Sequence, residues 1–205
     1  VLVYKFTDQN MRTYDGFAWS LGRARKASGN VKYLCTDSWL HAYPDKLTAS
    51  FMWAAHVHDD YTRFFEAEAG GEILRDKQGL KLGCTRLTLI RELNLPAISL
   101  NVRRRVAIRY AKATTGLGKG ASWFDWAEKW LAGERPVFTP YVASCSLAED
   151  YAWQSVSKRS PYFSKEAAAL AVNAATSLSK CSASLPERIR EAVKEEAELR
   201  RAGRA

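Results

Sequence analysis

The sequence predicts an α+β protein: an N-terminal mixed or antiparallel sheet with one inserted helix over residues 1–95, then an all-helical C-terminal region over residues 96–205. Three observations predict it. β-branched and aromatic runs, several alternating with period two, recur through residues 1–95. After Pro96 the apolar spacing changes to three and four. Ser or Asn then stands repeatedly just before the apolar-periodic segments, which is N-cap chemistry.

Taken in order, Val1-Leu2-Val3-Tyr4-Lys5-Phe6 reads as a strand ended by the polar turn Thr7-Asp8-Gln9-Asn10. Gly16-Phe17-Ala18-Trp19 reads as a second strand, Arg23-Ala24-Arg25-Lys26 as a basic loop, and Val31-Lys32-Tyr33-Leu34-Cys35 as a third strand. Pro44 and Asp45 suit the first turn of a helix running to about Ala54, with Leu47, Phe51 and Met52 on its core face. Residues 61–69 form the next strand with Phe64 or Phe65 inward, Gly70-Gly71 turns the chain, and residues 84–93 form the last strand. In the second half, Asn101 is placed to cap a helix through about Thr114. Ser122 opens a helix closed by Gly133, and Ser146 and Ser164 open two more. Ser184-Leu185-Pro186-Glu187 opens the last helix, whose apolar stripe is Leu185, Ile189 and Val193. A stripe that narrow packs lightly or offers the helix to a protein partner.

The chain has 205 residues and a net charge of +9, a field that attracts polyanions by steering and counterion release. Nucleic acid or a nucleoprotein complex is the favoured partner class. The four cysteines, Cys35, Cys84, Cys145 and Cys181, are far apart and form no C-x-x-C pair, so they read as buried free thiols and not as a zinc site. No apolar run has bilayer-spanning length and no signal-peptide pattern opens the chain, so no membrane is expected and the cytoplasm is the expected location.

Several residues invite chemistry. His41, between Trp39 and Tyr43, has the residue type of a general acid or base, though parallel stacking on one strand face explains the same spacing. His56-Val57-His58-Asp59-Asp60 has ligand residue types without helical metal-site spacing, so no metal is expected. Thr115-Gly116-Leu117-Gly118-Lys119-Gly120 lacks the P-loop spacing and reads as a linker whose Lys119 faces phosphates of a bound nucleic acid. Arg103, Arg104, Arg105, Arg109 and Lys112 crowd one helix and are the leading contacts for nucleic acid. Trp123, Trp126 and Trp130 share a helical face, a spacing that serves a core as readily as a base-stacking platform.

Residues 1–95 resemble an uncharacterised family of phage and bacterial proteins. The likeness rests on Tyr4-Lys5-Phe6, Gly16-Phe17 with Trp19 and Gly22, Leu34-Cys35, Trp39-Leu40-His41-Ala42-Tyr43, Phe64, Glu66-Ala67 and Gly83-Cys84, with Ser38 where that family usually has Gly. What this implies is a phage or mobile-element origin, with anti-defence or virion-associated roles. The same N-terminal residues are similar to ADP-ribosyltransferase-like folds. That resemblance implies an NAD cleft built from Tyr4, Lys5, His41 and Tyr43 with Glu66 or Glu68, and Lys5 stands where those folds carry Arg or His. The leading expectation is a non-enzymatic basic accessory protein without a cofactor. An NAD-using transferase and a structural oligomer built through the last helix are the alternatives.

Overall fold

The computed structural model describes residues 1–13, 16–53, 62–114, 121–134, 136, 147–157, 161–178 and 184–203. The chain divides into two compact units, residues 1–97 and 98–205. The first is built on an antiparallel sheet and the second is helical, so the α+β expectation holds.

In the first unit, β1 (Leu2–Thr7) pairs with β6 (Arg63–Arg75), and β6 pairs along its whole length with β7 (Leu82–Leu93). The far edge of β7 is occupied in turn by β5 (Leu40–Ala42) and β4 (Arg25–Lys26). Two reciprocal hydrogen bonds between Tyr4 and Tyr43, 2.9 and 2.8 Å, then join the end of β5 back to β1. This single bridge joins β1, β6, β7 and β5 in a ring and covers part of the edge that a small sheet otherwise exposes. β2 (Arg12–Thr13) and β3 (Phe17–Ala18) form a separate two-stranded ribbon.

Alternation along β1 and β6 sends side chains to two cores. Val3, Phe65, Ala67, Leu87, Leu89, Leu82 and Cys84 fill one side, with Trp19, Leu40 and Ala42. Tyr4, Phe6 and Phe64 fill the other, against Ala49 and Trp53. Both Phe64 and Phe65 are therefore inward, each to its own core; burying a phenylalanine fully contributes about 1.5–3 kcal/mol. Helix α1 (Lys46–Met52) begins where Asp45 accepts hydrogen bonds from the Leu47 and Thr48 amides, both 2.9 Å. Its Phe51 and Met52 are buried, while Leu47 is only half-buried.

Four expectations in this unit are corrected. Residues 31–36 form a series of bends, because Cys35 adopts φ +69° and interrupts the extended run. Arg25 and Lys26 are strand, not loop, held opposite Leu87 and Arg86. The strand expected over residues 16–19 is reduced to Phe17–Ala18. Gly70-Gly71 does not turn the chain: β6 continues through a bulge there, and the hairpin turn comes at residues 76–81, where the Asp76 amide donates to the Lys81 carbonyl. Gly71 has φ +71°, and a Cβ on it would stand 2.1 Å from Thr85 Oγ1, the oxygen that accepts the Glu72 amide. Gly71→Ala is expected to cost about 1–2 kcal/mol through strain at positive φ and displacement of Thr85. Chemical denaturation midpoints measure this, and an unchanged midpoint contradicts it.

The second unit comprises α2 (Leu100–Thr114), α3 (Ala121–Leu131), α4 (Leu147–Ser157), α5 (Pro161–Leu178) and α6 (Leu185–Arg201). Val102, Val106 and Tyr110 of α2 and Trp123, Trp126 and Trp130 of α3 are buried, so the tryptophan stripe is core. Ser99, not Asn101, caps α2: its hydroxyl accepts the Val102 amide at 3.1 Å. Ser164 is buried inside α5, which starts earlier, at Pro161. Gly133 ends α3 with φ +91°, and Glu187 accepts the Ser184 amide at 2.9 Å at the start of α6. The buried stripe of α6 is Leu185, Ile189, Ala192 and Glu196, whereas Val193 is 49% exposed. Ser146, Ala54 and Tyr61 lie outside the described residues.

Candidate functional site

The arginines of α2 were expected to face a nucleic acid, and the structure places most of their charge inside the helical unit. Arg103 and Arg105 are 3% and 4% exposed. Burial pushes the Arg103 guanidinium down to about 10, still charged at neutral pH. Arg104 donates from Nε to the Ser155 carbonyl at 2.7 Å, tying α2 to α4. Arg105 donates to the Leu131 carbonyl at 2.8 Å, lies 3.6 Å from Glu195 and stacks over Trp130 at 5.5 Å. It thus joins α2 to the end of α3 and to α6. Arg109 pairs with Glu195 and Glu191, and Lys112 with Glu128 while covering Phe124. A cleft of about 630 Å³ is lined by these groups, with Arg109, Lys112 and Arg188 facing Glu128, Glu191 and Glu195. Its charges neutralise one another in pairs. Lys119, with its glycine-rich neighbours 115–120, is outside the described residues.

A row of outward-facing cations lies on α6. Arg190, Lys194 and Arg201 are exposed, spaced i, i+4 and i+11, on the side opposite Leu185, Ile189, Ala192 and Glu196. Ion pairs along this helix engage Arg188 with Glu191 and Arg200 with Glu196, leaving that outward row out of the ion pairs found among the described residues. The row is readable in the sequence as a helical spacing, but the three consecutive arginines of α2 are the stronger local signal.

The residues implied by the ADP-ribosyltransferase resemblance are divided by the sheet. Tyr4 and Glu66 are register partners and share one side with Tyr43, which packs beside Phe6. Lys5 points to the other side, opposite Phe65, where Nζ donates to the His41 carbonyl at 2.7 Å and stands 4.9 Å from the Trp19 ring. Burial lowers the Lys5 ammonium to about 8. Glu66 is held by Arg91 through two hydrogen bonds, 2.9 and 3.1 Å, which depress its carboxyl. Tyr4 is raised by burial and by Glu66, and burial raises Tyr43. His41 Nε2 accepts the Cys35 amide at 3.1 Å, which fixes that nitrogen as the unprotonated one. Glu68 is exposed beside Leu2 and Thr88. Arg91 has no local sequence signal, since it reaches Glu66 only through the pairing of β6 with β7.

Cys84 is a buried free thiol, but Cys35 is exposed and contacts Lys81, which corrects the expectation of four buried thiols; Cys145 and Cys181 are outside the described residues. Among the described residues no group of three or more His, Cys, Asp or Glu is placed to hold a metal, and residues 56–60 lie outside that set. No described helix is long and apolar enough to cross a membrane.

Residues 1–101 match a protein family described as a domain of unknown function (DUF7666). That family is uncharacterised, so the match brings no activity with it. No curated protein and no solved structure matches the chain.

Proposed function

We propose that the protein is a non-enzymatic nucleic-acid-binding accessory protein whose contact surface is the outward face of α6. The observation that carries this reading is the distribution of charge. Residues 98–205 hold eighteen Lys and Arg against eleven Asp and Glu, a net +7 out of the +9 of the whole chain. Much of the α2 share is consumed in bracing helices, so the field available to a partner comes from groups such as Arg190, Lys194 and Arg201. Rows of exposed cations along one helix neutralise backbone phosphates and release counterions without reading sequence. The setting that fits is a nucleoprotein complex of a phage or its host, in the cytoplasm or in a virion.

The test is binding of the full chain to a short DNA duplex, followed by fluorescence anisotropy through a salt titration. Binding is expected to fall steeply with salt. The triple variant Arg190→Ala, Lys194→Ala, Arg201→Ala is expected to bind more weakly, and its log–log salt slope to be shallower by about 2.7, about 0.9 for each lost phosphate contact. Because all three side chains are exposed, its circular dichroism and denaturation midpoint should match the parent. Equal affinity and equal slope in parent and variant would sink the reading, as would no binding at low salt.

A further inference from the structure

We propose that Cys35 and Lys81 form a redox-dependent covalent bridge, Sγ–O–Nζ, that clasps the loop of residues 31–39 to the start of β7. Nζ of Lys81 stands 2.6 Å from Sγ of Cys35. That is shorter than the range of about 2.7–3.2 Å for a nitrogen–oxygen hydrogen bond, although sulfur is the larger atom. The separation is too long for a direct sulfur–nitrogen bond. Two single bonds meeting at one bent oxygen span it.

The fold holds both partners in this contact from either side. Gly83 is the reason the loop lies so close: a Cβ there would stand 2.7 Å from Leu34 Cδ2 and 2.8 Å from Trp39 Cβ, so those side chains rest directly on the β7 backbone. Trp39 Nε1 donates to the Val31 carbonyl at 2.8 Å and gathers the loop around that point. The Cys35 amide is fixed on His41 Nε2 at 3.1 Å, and Cys35 accepts φ +69° to aim its thiol at Lys81. On the other side, the Lys81 amide donates to Asp76 Oδ2 at 3.1 Å, which anchors the hairpin that carries the lysine. The thiol is exposed, so an oxidant reaches it.

The reaction takes dioxygen as its oxidant. Lys81 first loses the ammonium proton to solvent. The thiol and the amine then lose one hydrogen each, sulfur and nitrogen each give up two electrons, and the two S–O and O–N bonds form. Dioxygen accepts the four electrons; one of its oxygens becomes the bridge and the other leaves as water with the two hydrogens. Reversal needs four electrons, supplied by two dithiol molecules at two electrons each.

The experiment compares the full-length protein kept anaerobic under dithiothreitol with the same protein in air-saturated buffer, by intact mass and peptide mapping. Air is expected to add one oxygen and remove two hydrogens, to join the peptides containing Cys35 and Lys81, and to be reversed by dithiothreitol. Lys81→Arg keeps a cationic neighbour but removes the primary amine, and is expected to abolish the joined peptide; Cys35→Ser should do the same. Three results would overturn the proposal: an unchanged mass in air, oxygen found on Cys35 with the Lys81 peptide separate, or the same mass change in Lys81→Arg.

Discussion

Arg105→Glu is expected to cost the helical unit about 3–5 kcal/mol, the range seen when a buried charge pair is broken and a charge is left without its partner. Arg105 is 4% exposed, donates to the Leu131 carbonyl at the end of α3, and faces Glu195 of α6 at 3.6 Å. A glutamate there loses the donor and places a second carboxylate beside Glu195, in a position where water screens little. A domain of ordinary stability, 5–15 kcal/mol, survives this narrowly or not at all. Arg105→Met loses the guanidinium that stands over Trp130 but keeps an unbranched apolar side chain, and is expected to cost less, because it removes the charge without introducing an opposite one. Arg190→Glu, on the exposed face of α6, is expected to change stability by at most about 0.5 kcal/mol. Urea unfolding of the three variants checks the order. A fully stable Arg105→Glu protein would mean that Arg105 is not a brace, and would return α2 to consideration as a binding face.

The contribution of Lys5 to stability is also expected to rise between pH 8 and pH 10. Burial, opposed only by the neighbouring Cys84, lowers this ammonium from 10.5 to about 8 in the folded chain. Below pH 8 the lysine is protonated in both states and folding carries the cost of burying the charge. Between about 8 and 10.5 the unfolded chain binds a proton that the folded chain has released, so unfolding becomes harder as pH rises, by about 3 kcal/mol over the whole interval. Cys84, Tyr4 and Tyr43 oppose this above their ordinary values of 9.0 and 10.0, since burial raises all three. The readout is therefore the difference between the parent and Lys5→Met, followed from pH 7 to pH 9.5. That difference should move steadily in favour of the parent as pH rises. A difference independent of pH would show that Lys5 remains charged inside the sheet.

Class and periodicity were legible in the chain before any coordinates. Val102, Val106 and Tyr110, the Trp123, Trp126 and Trp130 face, and the Ser184–Glu187 cap announced helices that form where expected. These signals are local: each rests on residues within two or three turns, so the order of side chains along the chain is enough. The site was far less legible. Lys5 is placed by the resemblance in an NAD cleft, because nothing nearby in sequence tells which side of β1 will be enclosed. Val31-Lys32-Tyr33-Leu34-Cys35 alternates as a strand does, yet it bends, with Cys35 at φ +69°, while β4 and β5 occupy the far edge of β7.

The sequence by itself determined the division into a sheet-bearing half and a helical half, the Ser184–Glu187 cap and the net charge, since composition and short-range pattern carry all of these. Only the tertiary structure decided which cations are available to a partner and which reactive groups meet. Arg105 finds Leu131 and Glu195 across 26 and 90 positions, Lys81 finds Cys35 across 46, and Arg91 finds Glu66 across 25. A charge is spent or left free according to what folds against it. That depends on strand register and helix packing, which are set by the whole chain at once.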